Sequence, residues 1–454
     1  MSIALSLDIG SKKIQEIIDR CTVKPTPTQY NLSPPEIPCY ATNVKKNEVY
    51  VPLSTWPLFY ETFPNKRHAK ASFTCKKQMY TLDTDPKGKR DQDVVVKAAL
   101  KRLHRDHVAF IAAFPGFGKT SCGNYISSEL GLKTAIVCHL DSVNEQWIDE
   151  YTKFSTATVQ RVRGSKAIDP RADVLIFGVK KAELMSKDDL SDIGLVIFDE
   201  AHISTVTALT KSLLKFRPKY LLGLSATPKR TDGLHSLLYL SFGPRKTYFV
   251  REETKEFKVI GYFTKIKPTI EYMRVNGQTV PKWSTLVNSL AASEELADLI
   301  VGLVLKHPKE CILILSDRII QSQMVYDKLI ELGEDAALSV GKSKIDRKLR
   351  VLVSSLKKCG TGFDRTDLTM LIIACDVKAD LLQQYEGRVR CDNNIIYHFV
   401  HDNRMLHNHW NGTARAKGCR DWYEKRGATI EIIDERENFR SEVVPSRRLL
   451  PPQK

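Results

Sequence analysis

The chain has 454 residues, with 69 Lys and Arg against 53 Asp and Glu and a formal net charge of +16. This length gives room for two or three domains with sizeable cores and excludes a lone small module, and the basic surplus favours polyanionic partners. Its 10 cysteines stand singly with no Cys-x-x-Cys pair, which argues against a zinc ribbon, an iron–sulfur cluster of ordinary spacing and a secreted disulfide framework.

Residues 1–88 are rich in proline and aromatics, with Pro25, Pro27, Pro34, Pro35, Pro38 and Pro52 as punctuation. They read as a small accessory domain with strands at Glu48–Val51 and Gln78–Leu82. Tyr60, Phe63 and Phe73 beside Lys66 and Arg67 form either a nucleic-acid stacking surface or the core of that domain. From 89 to 245, short β-branched apolar runs alternate with amphipathic segments, as parallel βα units require. The expected strands are Val108–Phe114, Thr134–His139, Asp173–Gly178, Leu195–Asp199 and Tyr220–Ser225. Residues 246–290 read as inter-lobe strands, Lys246–Val250 and Phe257–Lys265, and a linker. A second βα set fills 291–440, with a helix at Ser293–Lys306 and strands at Cys311–Ser316, Arg350–Ser355, Met370–Cys375 and Ile395–Val400. Residues 441–454 are polar, basic and proline-containing and are expected to be a loose tail. The fold class is α/β: two parallel-sheet lobes in tandem with a small N-terminal accessory domain.

The first of these strands empties into Phe114-Pro115-Gly116-Phe117-Gly118-Lys119-Thr120. Glycines at 116 and 118 let backbone N–H groups turn inward around phosphate oxygens, Lys119 can reach the terminal phosphates, and the Thr120 hydroxyl can ligate Mg²⁺. The strict pattern wants glycine where this chain has Ala113. A plain strand-to-helix turn is the alternative, and the second half of the site weighs against it. The run Leu195-Val196-Ile197-Phe198 ends in Asp199-Glu200-Ala201-His202. Asp199 suits Mg²⁺ and Glu200 suits the orientation or deprotonation of an attacking water; a helix cap alone would be the bland role. His202 is either a surface histidine or a sensor of the nucleotide beside the metal carboxylate. Only the first lobe carries a phosphate loop, so two ATPase-like lobes imply a nucleotide held by the first and completed by the second.

In this order the motifs resemble those of the superfamily 2 helicases, over most of the chain. Gln92 resembles the glutamine that reads adenine, Ala113–Thr120 resembles motif I with the alanine this superfamily commonly shows, and Ile136–His139 with Gln146-Trp147 resembles motif Ia and its helix. Asp199–His202 is similar to a DEAH-type motif II, and Ser225-Ala226-Thr227-Pro228-Lys229-Arg230-Thr231-Asp232-Gly233 to motif III. In the second lobe Thr361–Asp364 resembles motif V, with Asp364 near the ribose. Gln384 to Arg390 resembles motif VI, although the family spaces its last arginine one residue further. The branch most resembled holds the xeroderma-pigmentosum-B-type helicases and the helicases of large DNA viruses, including the poxvirus transcript-release type.

The resemblance implies ATP and Mg²⁺ between two RecA-like lobes, with Lys119, Thr120, Asp199 and Glu200 from the first and the fingers Arg388 and Arg390 from the second. Ser225, Thr227 and His202 would couple this site to nucleic acid. Lys229, Arg230 and Arg163 are candidate phosphate contacts, with Arg161 and Lys166 nearby; taken singly, each also reads as a solvated charge. The expected function is a DNA-dependent ATPase that translocates on or unwinds DNA, serving transcription or repair machinery in a viral or cellular setting. An RNA helicase and an ATPase-decayed binding scaffold are the alternatives. No apolar stretch approaches a membrane span, so a soluble intracellular protein is expected, with nucleus, host cytoplasm and virion left open.

Overall fold

The computed structural model describes residues 2–6, 11–27, 31–64, 67–86, 88–139, 141–164, 167–201, 212, 214–226, 234–252, 256–341, 349–359, 365, 367–389, 391, 393–414, 416–436 and 442–444. The chain divides into two compact units, Met1–Glu252 and Glu253–Lys454.

The first unit opens with β1 (Ser2–Ser6), α1 (Ser11–Arg20), β2 (Thr22–Val23), β3 (Ile37–Pro38), β4 (Ala41–Asn43) and β5 (Glu48–Pro52). Strands β1, β5 and β4 form an antiparallel sheet in that order, and β2 pairs with β3. This region does not stand apart as an accessory domain. Ser2 N donates to Phe216 O (2.9 Å), the Trp56 indole donates to Asp106 O (3.1 Å), and Ile3, Leu5, Val49 and Val51 share one core with Val108, Phe110, Val196 and Phe198. The aromatics weighed for nucleic-acid stacking are used in packing. Phe63 stacks on His107 with ring centroids 3.5 Å apart, Phe73 is buried against Tyr151, and the Tyr60 hydroxyl donates to Ala4 O. Gln78–Leu82 is not a strand either. Thr81 and Thr84 bond to each other through backbone and hydroxyl groups, closing a turn, and this local bonding overrides the alternating pattern.

The sheet that follows is built from α2 (Gln92–Asp106), β6 (Val108–Ala113), α3 (Lys119–Leu130), β7 (Thr134–Cys138), α4 (Asp141–Phe154), β8 (Val159–Val162), β9 (Val174–Gly178), α5 (Val179–Leu184), β10 (Leu195–Phe198), β11 (Tyr220–Ser225), α6 (His235–Phe242) and β12 (Phe249–Arg251). Its seven strands are all parallel, in the order β12-β6-β11-β10-β7-β9-β8. A parallel sheet covered on both faces demands continuous apolar runs. β6 shows why: Val108, Phe110 and Ala112 enter one core while Ala109, Ile111 and Ala113 enter the other.

The second unit comprises β13 (Phe257–Phe263), β14 (Glu271–Val275), β15 (Gln278–Lys282), α7 (Trp283–Ala291), α8 (Glu294–Lys306), β16 (Ile312–Ser316), α9 (Ile319–Glu331), β17 (Ala336–Ser339), β18 (Val351–Ser355), α10 (Leu356–Cys359), β19 (Met370–Ile373), α11 (Leu382–Glu386), β20 (Ile395–Val400), α12 (Arg404–Asn411), α13 (Cys419–Lys425), β21 (Ala428–Asp434) and β22 (Glu442–Val444). Its sheet runs β17-β18-β16-β19-β20-β13-β21-β22, parallel except for the last pair. The stretch 246–290 is therefore not a plain connector. β12 completes the first sheet, and β13 is inserted between β20 and β21 of the second. Val259 and Phe263 bury into one core and Ile260 and Tyr262 into the other, so β13 is a two-sided interior strand. β14 and β15 form a hairpin through Asn276-Gly277, both at positive φ, the pair a tight two-residue turn selects. Glu442–Val444, within the expected loose tail, pairs with Ile430–Ile432.

Candidate active site

The carboxyl ends of β6, β11 and β10, three neighbours in the first sheet, carry the phosphate loop, Ser225 and Asp199-Glu200 respectively. Open parallel sheets place ligands at this edge. The loop leaves β6 at Phe114, whose N–H donates to Arg251 O on β12 (3.1 Å). The Arg251 guanidinium grips Asp91 at 2.6 and 2.8 Å, fixing β12 to the start of α2. Phe114 and Phe117 turn their rings into the core in an edge-to-face pair, which anchors the loop and leaves its backbone as the ligand-facing element. Gly116 and Gly118 sit at φ +90° and +93°, where side chains are strained. Lys119 and Thr120 are half-buried and open α3; Lys119 Nζ donates to Ala113 O at 2.9 Å.

Gln92 is buried behind the loop. Its Nε2 donates to Phe117 O (2.5 Å) and its Oε1 accepts from Tyr80 N (3.0 Å), so both ends of the amide hold protein backbone. A Cβ on Gly118 would lie 2.3 Å from that Nε2. In this structure Gln92 clamps the loop. Asp91 and Arg251 had no part in the sequence reading, and their pairing across 160 residues left no local signal.

Asp199 is buried at 6% exposure, and both of its oxygens are engaged: Oδ2 accepts from the Trp147 indole (2.7 Å) and Oδ1 from Glu200 N (2.9 Å). Burial and the charge of Glu200 push its carboxyl up to about 6, while the Trp147 bond and the Lys119 charge act in the other direction. Glu200 sits at φ +48°, a left-handed conformation rare for a non-glycine residue. Ser225 is fully buried and pairs in register with Ala112, one residue before the loop's Ala113. Trp147, which the sequence marks only as part of the helix following motif Ia, is brought onto Asp199 by the fold. The available signal was its place in the buried stripe Val143, Trp147, Tyr151, because a buried indole N–H requires an acceptor.

Thr120 and Asp199 supply hard oxygen donors, which suits Mg²⁺; that ion usually takes one or two protein oxygens and fills the rest of its octahedron with phosphate and water. Among the described residues no group of three or more His, Cys, Asp or Glu side chains is arranged to hold a metal ion.

In the second unit, Arg388 is half-buried just after α11, its N–H donating to Tyr385 O (3.0 Å). The same turn is held by Glu386, buried and paired with Arg426 at 3.0 Å. Gln384 is carried by α11, with its side chain outside the described set. His202, Thr227, Lys229, Arg230, Asp364, Arg390 and Lys166 lie outside the described residues. Arg163 is exposed and lies 3.3 Å from Glu145, while Arg161 pairs with Asp141 at 2.6 Å and also with Glu145. The basic run on β8 is thus partly answered by acids of α4.

The model of the family described as Type III restriction enzyme, res subunit, matches residues 86–230. "Putative helicase 161L" of Invertebrate iridescent virus 6 is 28% identical over 405 residues, covering 82% of this chain and 89% of that protein. The DNA 3'-5' translocase XPB2 of Sulfurisphaera tokodaii is 27% identical over 146 residues, 32% of this chain and 33% of that one. Among solved structures, S. cerevisiae Dbp5 bound to RNA and ADP BeF3 aligns with a TM-score of 0.54 at 15% identity, covering 75% of this chain and 89% of that one, a likeness of fold. The two tandem α/β lobes share the fold of that structure, and the sequence is similar to those of viral proteins named as putative helicases. Among the described residues no helix is long and apolar enough to cross a membrane.

Proposed function

We propose that this chain is a helicase-type ATPase that works on DNA, coupling ATP hydrolysis to translocation along, or separation of, the strands, in the transcription or repair of a large DNA virus. The observation that carries the ATPase part is the gathering of Lys119, Ser225 and Asp199-Glu200 on adjacent strand ends of one parallel sheet. The loop N–H groups and Lys119 bind the phosphates, Thr120 and Asp199 would hold Mg²⁺, and Glu200 orients the attacking water and takes its proton. When bound, Mg²⁺ neutralises charge on the phosphate oxygens. Arg388 and Arg390 are assigned, by the resemblance of Gln384 to Arg390 to motif VI, the role that arginine fills in phosphoryl transfer. Ser225, beside the loop and one strand from Asp199, couples the state of the nucleotide to the nucleic-acid site.

DNA is favoured over RNA by the DEAH sequence at 199–202, by the Arg-Thr-Asp-Gly tail at 230–233 and by similarity to a DNA translocase. The net charge of +16 supports a phosphate-tracking mode of binding, which is salt-sensitive and indifferent to base sequence. Comparing ATP turnover with single-stranded DNA, duplex DNA and RNA tests the preference. Stimulation by DNA above RNA is expected; stimulation by RNA alone would overturn it.

A further inference from the structure

The Trp147 indole lies fully buried between two parts of the candidate site. Its Nε1–H donates to Asp199 Oδ2 at 2.7 Å. On its other side it meets α3, the helix that begins with Lys119 and Thr120. Gly123 of α3 is the point of approach, where a Cβ would lie 2.6 Å from Trp147 Cη2. The ring also stacks on Tyr151, with centroids 6.0 Å apart and an interplanar angle of 27°, and the Tyr151 hydroxyl shares a 2.8 Å bond with Ser127 of α3. The indole is therefore fixed from below by α4 and from the side by α3, and it presents a single donor to the carboxylate.

We propose that Trp147 is a positioning residue for Asp199, orienting the carboxylate for Mg²⁺ and tying that orientation to the helix that holds the phosphates; this rests on the reading of Asp199 as a metal-holding group. Each carboxylate oxygen accepts about two hydrogen bonds. The donors from Trp147 and Glu200 N use one on each oxygen. Rotation of the group is stopped while acceptor capacity remains on both oxygens. Outer donors of this kind commonly change metal affinity by about 10–100-fold. A phenylalanine would fill most of the same volume without the N–H, and that difference isolates the role.

The test measures binding of a fluorescent, non-hydrolysable ATP analogue to the full chain across a Mg²⁺ series and in EDTA. Trp147→Phe is expected to need about 10–100-fold more Mg²⁺ for half-maximal tightening, with binding in EDTA unchanged. Parental Mg²⁺ dependence in a folded Trp147→Phe protein would overturn the proposal. Should that variant fail to fold, Gly123→Ala carries the test, because it keeps the indole N–H but pushes the ring. A higher Mg²⁺ requirement there supports the link, and an unchanged one overturns it. Asp199→Asn separates the two layers: parental Mg²⁺ dependence in that protein overturns the metal reading of Asp199 itself, and its loss upholds that reading.

Discussion

In the proposed function Lys119 and Glu200 carry different parts of the chemistry, and their substitutions should separate binding from hydrolysis. Lys119→Ala removes the cation at the phosphate loop and is expected to weaken nucleotide binding together with turnover. Glu200→Gln keeps the shape of the side chain but removes the base, so binding should persist while stimulated hydrolysis falls. For a positioned general base the loss is about 10²–10⁴-fold. Steady-state ATPase rates with parallel binding measurements check both; a Glu200→Gln protein with parental turnover would contradict the assignment. At this scale the sequence revealed residues whose chemistry lies in contiguous motifs, such as Lys119-Thr120 and Asp199-Glu200. It did not reveal the partners that fix them. The Trp147–Asp199 bond spans 52 residues and the Arg251–Asp91 pair 160, and only the folded sheet brings them together. Gln92 shows the reverse case. Its motif was legible, yet its amide holds Phe117 O and Tyr80 N, contacts that no spacing announces.

Among the elements, the phosphate loop is tightly constrained. Gly118 combines φ +93° with a Cβ position 2.3 Å from Gln92 Nε2, so alanine would be strained in backbone and would displace the clamp. A left-handed non-glycine residue costs about 1–3 kcal/mol. Gly118→Ala should lower stability by about that much and weaken nucleotide binding, read by denaturant unfolding and by titration of a fluorescent nucleotide. Unchanged binding would mean that the loop conformation is not the phosphate-holding one. The strands were legible because parallel strands buried on both faces read as unbroken apolar runs, as Leu195–Phe198 and Ile312–Ser316 do. Gln78–Leu82 misled because hydroxyl bonds between Thr81 and Thr84 won over alternation. β13 was legible as a strand but not as an interior one, since its neighbours β20 and β21 lie more than a hundred residues downstream.

For the whole molecule, the N-terminal 88 residues looked separable by composition, yet they complete the first unit through contacts such as Ser2 to Phe216 that only long-range packing creates. The second unit carries an acid sensitivity of its own. His398 and His401 are buried, and burial depresses both imidazoles to about 4 from an ordinary 6.5. Below pH 6.5 the unfolded chain binds protons at both sites that the folded chain refuses until about pH 4. Stability therefore falls as pH falls through that window, by at most roughly 3 kcal/mol per histidine. His409 opposes this. Its bond to Asp376 raises its folded value, so its contribution is full at low pH and is lost as pH rises through that value. Urea midpoints at pH 7.5 and 5 should show a loss in the parent that shrinks in a His398→Asn, His401→Asn double variant; equal slopes would contradict this account.

The proposed function makes ATP turnover in this chain depend on contact with nucleic-acid phosphates. The most direct measurement is the ATPase rate of the full chain with and without single-stranded DNA over a range of salt concentrations. The expected result is a low basal rate, strong stimulation by DNA, and a DNA requirement that rises steeply with salt, as counterion release demands. A rate that is independent of nucleic acid and insensitive to salt would contradict it.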